Sequence, residues 1–297
     1  MPNQKKAYIF AILAVICWST VATAFKIALQ NCDFLQLLFF SSLVSCLVLF
    51  LILIFQRKLF LISNMRPSSL LQSVLLGFLN PFLYYTVLFK AYSLLPAQEA
   101  MTLNYTWPVM LVLLAIPLLK QSLTIKSMVA VLISFVGIFI IATKGNPMEF
   151  SFSNALGDGL AIGSSVIWAL FWIYNVKDKK DDVVKLFLNF LSGSLFSGIL
   201  MLLFSDFSKF NYVGLPAIVY IGIFEMSVTF VFWLLALKYT ASADKVSQLI
   251  FLSPFLSLLF IHFIIGENIA ISTLIGLIFI TLGIVIQQSS FLLFKRK

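Results

Sequence analysis

Residues 213–236 read VGLPAIVYIGIFEMSVTFVFWLLA, an apolar stretch whose one charged side chain, Glu225, stands at its middle. At about 1.5 Å of rise per residue, a helix over this stretch reaches about 36 Å, enough to cross the roughly 30 Å of hydrocarbon in a bilayer. A soluble helix keeps a polar face, and this one has none. The stretch therefore predicts a membrane-spanning helix. Glu225 would then lie about 18 Å deep, where an ionised carboxylate costs several kcal/mol. It must face a wet cavity, find a partner or carry a proton.

The rest of the chain repeats the pattern. Of 297 residues, 61% are hydrophobic and 10% charged, whereas a soluble domain carries about a quarter charged residues. Apolar runs place spans at about 7–29, 35–55, 69–92, 99–119 and 125–143, and again at about 155–174, 183–204, 213–236, 246–265 and 271–292. Breakers such as Arg66-Pro67-Ser68 and Gly145-Asn146-Pro147, and the charged run Lys177 to Asp182, separate them. Lys5 and Lys6, followed by apolar residues and Ala22-Thr23-Ala24, have the outline of a cleavable leader. The run from Ala7 to Leu29 is long enough to span, and an uncleaved first helix is expected.

If loops alternate between two sides, sixteen of the twenty basic residues share the side of both termini. Lys26, Lys90, Lys144 and Lys209 fall on the other. Basic residues mark the cytoplasmic side, so both termini are expected in the cytoplasm. The net charge of +9 is thus a topology signal and no reason to expect nucleic acid. Three cysteines and one histidine, His262, give neither a disulfide framework nor metal-ligand spacing. No cofactor is expected. The chain lacks GxxxxGK[ST], GxSxG and HExxH, which argues against ATP coupling and against an enzyme.

The two halves resemble each other. At an offset of 146 residues, Trp107-Pro108 faces Ser253-Pro254, Gln121 faces Glu267, Ile125 faces Ile271 and Gly137 faces Gly283. Trp18-Ser19 and Trp168-Ala169 mark the first helix of each half. Five spans is an odd number, so the second copy would enter the membrane inverted, with a site at the midplane where the halves meet. The repeats are read as 7–143 and 155–292.

These residues resemble the drug/metabolite transporter superfamily, specifically two tandem EamA-type repeats. Gly157-Asp158-Gly159 leading to Trp168-Ala169, then Ala236-Leu237, Ser253-Pro254, Gly266-Glu267 and Gly276 with Gly283 carry the clearer copy. The first copy departs from it where Lys120-Gln121 replaces Gly-Glu. Pro96-Ala97-Gln98-Glu99-Ala100 with Asn104-Tyr105-Thr106-Trp107-Pro108 is similar to the branch containing aromatic-amino-acid exporters. The resemblance implies an all-α integral membrane fold of ten helices, two inverted five-helix repeats around a central cavity. It also implies a bacterial inner-membrane location and export of small metabolites, amino acids among them.

Substrate-binding candidates are the polar and indole-bearing positions near mid-span: Trp18, Asn80, Tyr84, Asn104, Trp107, Trp168, Trp172, Glu225, Thr229 and Trp233, with Gln248 as a polar gate. Thr229 and Trp233 follow Glu225 at intervals of four, as Tyr84 follows Asn80 and Trp172 follows Trp168, spacing that puts each set on one helical face. Aromatic walls with a few directed polar groups suit a small, partly apolar ligand. Glu225 would meet a cationic substrate group or exchange a proton, which makes protons a candidate coupling partner. Pro108 and Pro254 interrupt helix hydrogen bonding and are candidate hinges. Lys26 and Lys90 are expected to snorkel to the interface, and Glu267 to organise a turn. Gly159 and Gly163 form a small-residue stripe suited to close helix packing. The leading expectation is a secondary transporter working by alternating access. A passive channel is the alternative, and an intramembrane enzyme a remoter one. Substrate, coupling ion and oligomeric state are not legible.

Overall fold

The computed structural model describes residues 3–63, 65–119, 125–146, 154–240, 246 and 248–294; the side chains of Ser127, Lys209, Gln248 and residues 287–294 fall outside that description. All regular structure among the described residues is helical. In chain order the helices are α1 (Gln4–Leu29), α2 (Phe34–Phe55), α3 (Pro67–Leu94), α4 (Ala97–Leu119) and α5 (Ile125–Ala142). They continue with α6 (Ala155–Lys177), α7 (Asp182–Phe204), α8 (Tyr212–Tyr239), α9 (Leu249–Ile265) and α10 (Ile271–Phe294). A single turn, Phe60–Ser63, lies between α2 and α3. Seven of these helices are long and apolar enough to cross a membrane. Met128–Ala142, Leu249–Ile265 and Ile271–Ile286 are shorter apolar helices.

The burial pattern is that of a protein dissolved in lipid. Large apolar side chains such as Phe55, Leu202, Val176 and Phe263 point outward, each more than two-thirds exposed, while Ser41, Ser42, Ser45, Ser164 and Ser165 are sealed inside. Water would reverse that arrangement, whereas hydrocarbon tolerates the apolar exterior and rewards small polar residues between helices. Ser45 donates to the Met226 carbonyl at 2.8 Å, joining α2 to α8. This is a multi-pass membrane protein.

The helix ends are set by local chemistry. Asp33 accepts from the backbone of Leu35 and Gln36 while Gln36 returns a bond to Asp33 N–H, a reciprocal cap that starts α2. Asn154 and Asp181 cap α6 and α7 in the same manner. Four helices are irregular inside. α3 is kinked within Phe78–Leu83, where Asn80 is extended (φ −148°) ahead of a cis bond to Pro81. α8 is a π-helix over Ile221–Val228, and α9 ends in one over Ile261–Ile265. α4 breaks at Tyr105-Thr106 and resumes at Trp107.

Helices α5 and α10 pack together through glycine. A Cβ on Gly137 would stand 2.5 Å from the Gly276 carbonyl, and one on Gly283 the same distance from the Ala130 carbonyl. Between these contacts Ser134 Oγ lies 3.5 Å from the Ile280 carbonyl. The expected stripe at Gly159 and Gly163 packs against nothing, since a Cβ at either would have no neighbour within 4 Å. Among the described residues no side chain or backbone covers either glycine, and close approaches fall on other glycines, among them Gly137, Gly276 and Gly283 and also Gly77, Gly193 and Gly222.

Candidate functional site

A cavity of about 720 Å³ lies among α1, α3, α4, α6, α8, α9 and α10. The chain has five tryptophans, Trp18, Trp107, Trp168, Trp172 and Trp233, and all five reach its wall. Tyr84, Asn104, Pro108, Glu225 and Pro254 reach it too. The lining rings are linked to one another, in part through the buried ring of Phe230 behind the wall. Trp233 meets Trp18 at 5.6 Å between centroids, Trp18 meets Phe230 at 6.2 Å, Phe230 meets Trp168 at 5.8 Å and Trp168 meets Tyr84 at 4.6 Å. Edge-to-face and tilted contacts of this kind hold aromatic walls rigid.

Glu225 sits in the π-wound part of α8. There Ser227 Oγ reaches back five residues to the Gly222 carbonyl at 2.7 Å, and Thr229 Oγ1 donates to the Phe224 carbonyl. The extra residue per turn leaves backbone carbonyls short of their usual partners, and these hydroxyls fill the gap. The Tyr85 hydroxyl donates to Glu225 Oε1 at 2.9 Å, while Oε2 has no hydrogen-bond partner among the described residues. Next to it, Tyr84 donates to Asn104 Oδ1 at 3.3 Å and Asn104 Nδ2 donates to Ser164 Oγ at 2.8 Å. The amide is thereby fixed in orientation.

Two expected site residues do not reach the cavity. Thr229 is fully buried and occupied by the backbone of its own π-turn. Four-residue spacing assumes 3.6 residues per turn, and the π-winding between Glu225 and Thr229 breaks that register. Asn80 is fully buried where α3 leaves helical geometry, in a segment packed against α7, so its spacing to Tyr84 no longer places the two side by side. Trp168 and Trp172 lie on an uninterrupted helix, and both line the cavity. Gln248 begins a short 3-10 turn, its side chain outside the described residues.

Pro108 is the second residue of the helix that resumes at Trp107, and Pro254 the third of the one that resumes at Leu252. In a first turn, proline forfeits no helix hydrogen bond. The breaks precede the prolines: the Tyr105-Thr106 turn in α4, and the 3-10 turn Gln248–Phe251 in α9. The Tyr105 hydroxyl donates to the Ile250 carbonyl at 2.6 Å and ties one break to the other. Tyr85 and Tyr105 both escaped sequence reasoning. Each is one residue from a position that was singled out, and neither carries a pattern that separates it from a packing tyrosine.

The two ends of the cavity differ. Call the end near Gln4 and Tyr239 proximal and that near Leu95 and Ala270 distal. At the distal end Phe25 and Tyr92 line the cavity, and Phe25 meets Phe89 and Tyr92 edge-to-face with centroids 4.8 and 5.2 Å away. Lys26 Nζ donates to the Tyr92 and Leu95 carbonyls at the end of α3. It caps a helix terminus instead of snorkelling outward. Lys90 lies over the Phe34 ring, 5.0 Å from its centroid. Glu267 accepts from the backbone N–H groups of Ala97 at 2.9 Å and Gln98 at 3.3 Å, so it caps α4 from another helix's loop. The Gln98 side chain donates to the Asn268 carbonyl at 2.9 Å and accepts from Ala270 N–H at 2.8 Å. His262 Nδ1 lies 3.0 Å from the Glu267 carbonyl. At the proximal end the wall consists of Leu119, Val176, Lys177 and Leu237, and Val176 is 76% exposed. Among the described residues nothing closes the cavity at that end. Among the described residues no group of three His, Cys, Asp or Glu side chains is placed to hold a metal ion.

Residues 5–143 and 155–287 each match the model of the EamA-like transporter family. The chain belongs to the EamA-like transporter family. Among its relatives, an uncharacterized transporter of Clostridium kluyveri is 27% identical, the match covering 97% of this chain and 94% of that one. Another from Archaeoglobus fulgidus is 26% identical over 95% and 96% of the two chains. The uncharacterized transporter YvbV of Bacillus subtilis is 24% identical over 96% and 92%. A solved crystal structure superposes with a TM-score of 0.65 at 20% identity, covering 96% of this chain and 97% of the other, and shares the fold. This EamA-like chain is thus a membrane transporter by family, with an aromatic cavity centred on one carboxylate.

Proposed function

We propose that this chain is a secondary carrier that exports a small metabolite of amino-acid size across the bacterial inner membrane by alternating access. The observation that carries the proposal is a ligand-sized cavity closed at one end by directed hydrogen bonds and, among the described residues, open at the other, with Glu225 on its wall. With both termini cytoplasmic, as the basic residues suggest, the opening faces the cytoplasm. That is the loading state of an exporter.

In this reading, ten spans form two inverted halves, residues 7–143 and 155–292. The α5–α10 contacts support it. Adding 146 to Gly137 gives Gly283, and subtracting it from Gly276 gives Ala130, so the Gly137–Gly276 contact becomes the Ala130–Gly283 contact. The same shift carries Ser134–Ile280 onto itself. A contact set that maps onto itself is what a two-fold axis between repeats produces. The breaks ahead of Pro108 and Pro254, bridged by Tyr105, are the hinges on which the cavity would change sides.

Counterflow in proteoliposomes tests the proposal, using labelled aromatic and aliphatic amino acids and the corresponding amines. The expected result is saturable uptake accelerated by unlabelled solute inside. Flux that neither saturates nor shows trans-acceleration would identify a pore and overturn the carrier reading. We assign Glu225 as the proton-exchanging group. Glu225→Gln should abolish the response of flux to an imposed pH gradient, and an unchanged response removes that role.

A further inference from the structure

The centre of the cavity is unbalanced in charge. Glu225 is 6% exposed and belongs to the cavity wall; one oxygen is met by Tyr85, while Oε2 is buried with no donor among the described residues. Buried acceptors are almost always satisfied, so an orphan carboxylate oxygen on the wall of a ligand-sized space points to a donor that arrives with the ligand. The surrounding faces are π-systems: Trp18 and Trp233 on one side, Trp168 and Tyr84 on the other, joined through Phe230. A carboxylate set among aromatic faces is the environment an ammonium group prefers.

The complementary charge is missing. Among the described residues Lys177 is the one basic side chain on the wall. It stands at the proximal rim with its ammonium 5.5 Å from the Tyr174 ring centroid. Five residues of helix, about 7 Å, separate it from Trp172. The remaining buried polar atoms on the wall without a partner among the described residues, Trp172 Nε1 and Ser257 Oγ, are neutral. They suit a hydroxyl or carbonyl on the ligand and cannot neutralise a desolvated carboxylate.

We infer that this cavity takes an organic cation, a primary amine on an aromatic or aliphatic body, in preference to the zwitterionic amino acid with the same side chain. Transport of such an amine rests on the carrier reading above; its binding does not. Three compounds sharing a phenyl ring separate the cases: 2-phenylethylamine carries the ammonium alone, L-phenylalanine both charges and phenylacetate the carboxylate alone. Because every tryptophan lines the cavity, intrinsic fluorescence of the whole protein in lipid nanodiscs reads occupancy directly. The amine should bind at least about tenfold tighter than L-phenylalanine, with phenylacetate giving no saturable change. Glu225→Gln should weaken the amine at least about tenfold and erase the preference. If that variant does not fold, the wild-type series alone decides. Equal or tighter binding of L-phenylalanine, or saturable binding of none of the three, overturns the inference. Amine binding without counterflow would sink the carrier reading and leave the ligand class standing. Counterflow of L-phenylalanine without amine binding would do the reverse.

Discussion

The distal and proximal ends of the cavity enclose the same space with different physics. The distal end is held by directed bonds: Lys26 on two carbonyls of α3, Glu267 on two N–H groups of α4, and Gln98 on the loop ahead of α10. The proximal end, among the described residues, carries the apolar side chains Leu119, Val176 and Leu237 with Lys177 beside them, and no directed bond joins them. Directed bonds are made or broken as units, whereas apolar rims slide with little change in energy. The contrast locates the energy that holds this conformation at the distal end. Substitutions there should release the structure, and substitutions at the proximal rim should not.

The largest effect is expected from Lys26→Met, which removes two charge-assisted hydrogen bonds and strands two carbonyls, a loss of about 3 kcal/mol. That corresponds to about a hundredfold shift in a conformational equilibrium. A cysteine placed at Met101, which is 6% exposed on the cavity wall, reports the shift. Its labelling by a membrane-impermeant maleimide from the distal face should accelerate by about that factor. An unchanged rate would mean that Lys26 stabilises the fold as a whole and no gate.

Glu267→Ala comes next. It leaves two backbone N–H groups of α4 without an acceptor, about 1–2 kcal/mol or roughly tenfold by the same readout. Lys26 and Glu267 belong to one cluster, so the double variant should fall short of the product of the single effects. Full additivity would show two independent locks. Gln98→Ala removes two neutral bonds, about 1 kcal/mol and about fivefold.

These distal contacts also mark where the sequence could be read and where it could not. Apolar run length placed the seven helices of spanning length to within a few residues, because crossing hydrocarbon constrains length whatever the partners. The aromatic and carboxylate character of the site was legible for the same reason: Glu225 is anomalous against its surroundings in any register. Register itself was readable only on regular helix. Trp168 and Trp172 obey the four-residue spacing and share the cavity, while Asn80 and Thr229 are displaced by extended and π-wound backbone that no residue pattern announces. Lys26, Glu267 and Gln98 reach across helices to backbone carbonyls and N–H groups, and backbone partners leave no trace in the sequence. Tyr85 escaped because a tyrosine beside a tyrosine carries no sign of which one meets the carboxylate.

The proximal rim yields the smallest prediction and the one that joins the two ends to the ligand. Among the described residues Lys177, exposed at the proximal rim, bonds to no residue across it, so Lys177→Gln should leave labelling at position 101 unchanged. Its positive charge does stand on the route to Glu225, and a cation approaching the cavity must pass it. At ionic strength near 10 mM the screening length is about 30 Å, and one charge at the mouth changes the encounter rate by a factor of about two to three. Stopped-flow fluorescence should therefore show 2-phenylethylamine associating about two to three times faster with Lys177→Gln than with the native protein at low salt, with an unchanged dissociation rate. The difference should vanish at 1 M salt, where screening falls to about 3 Å. If the gain persisted at high salt, Lys177 would be obstructing the mouth sterically. If L-phenylalanine gained as much as the amine at low salt, charge at the rim would not be what the ligand senses, and the asymmetry between a bonded end and an electrostatically open one would lose its meaning for selectivity.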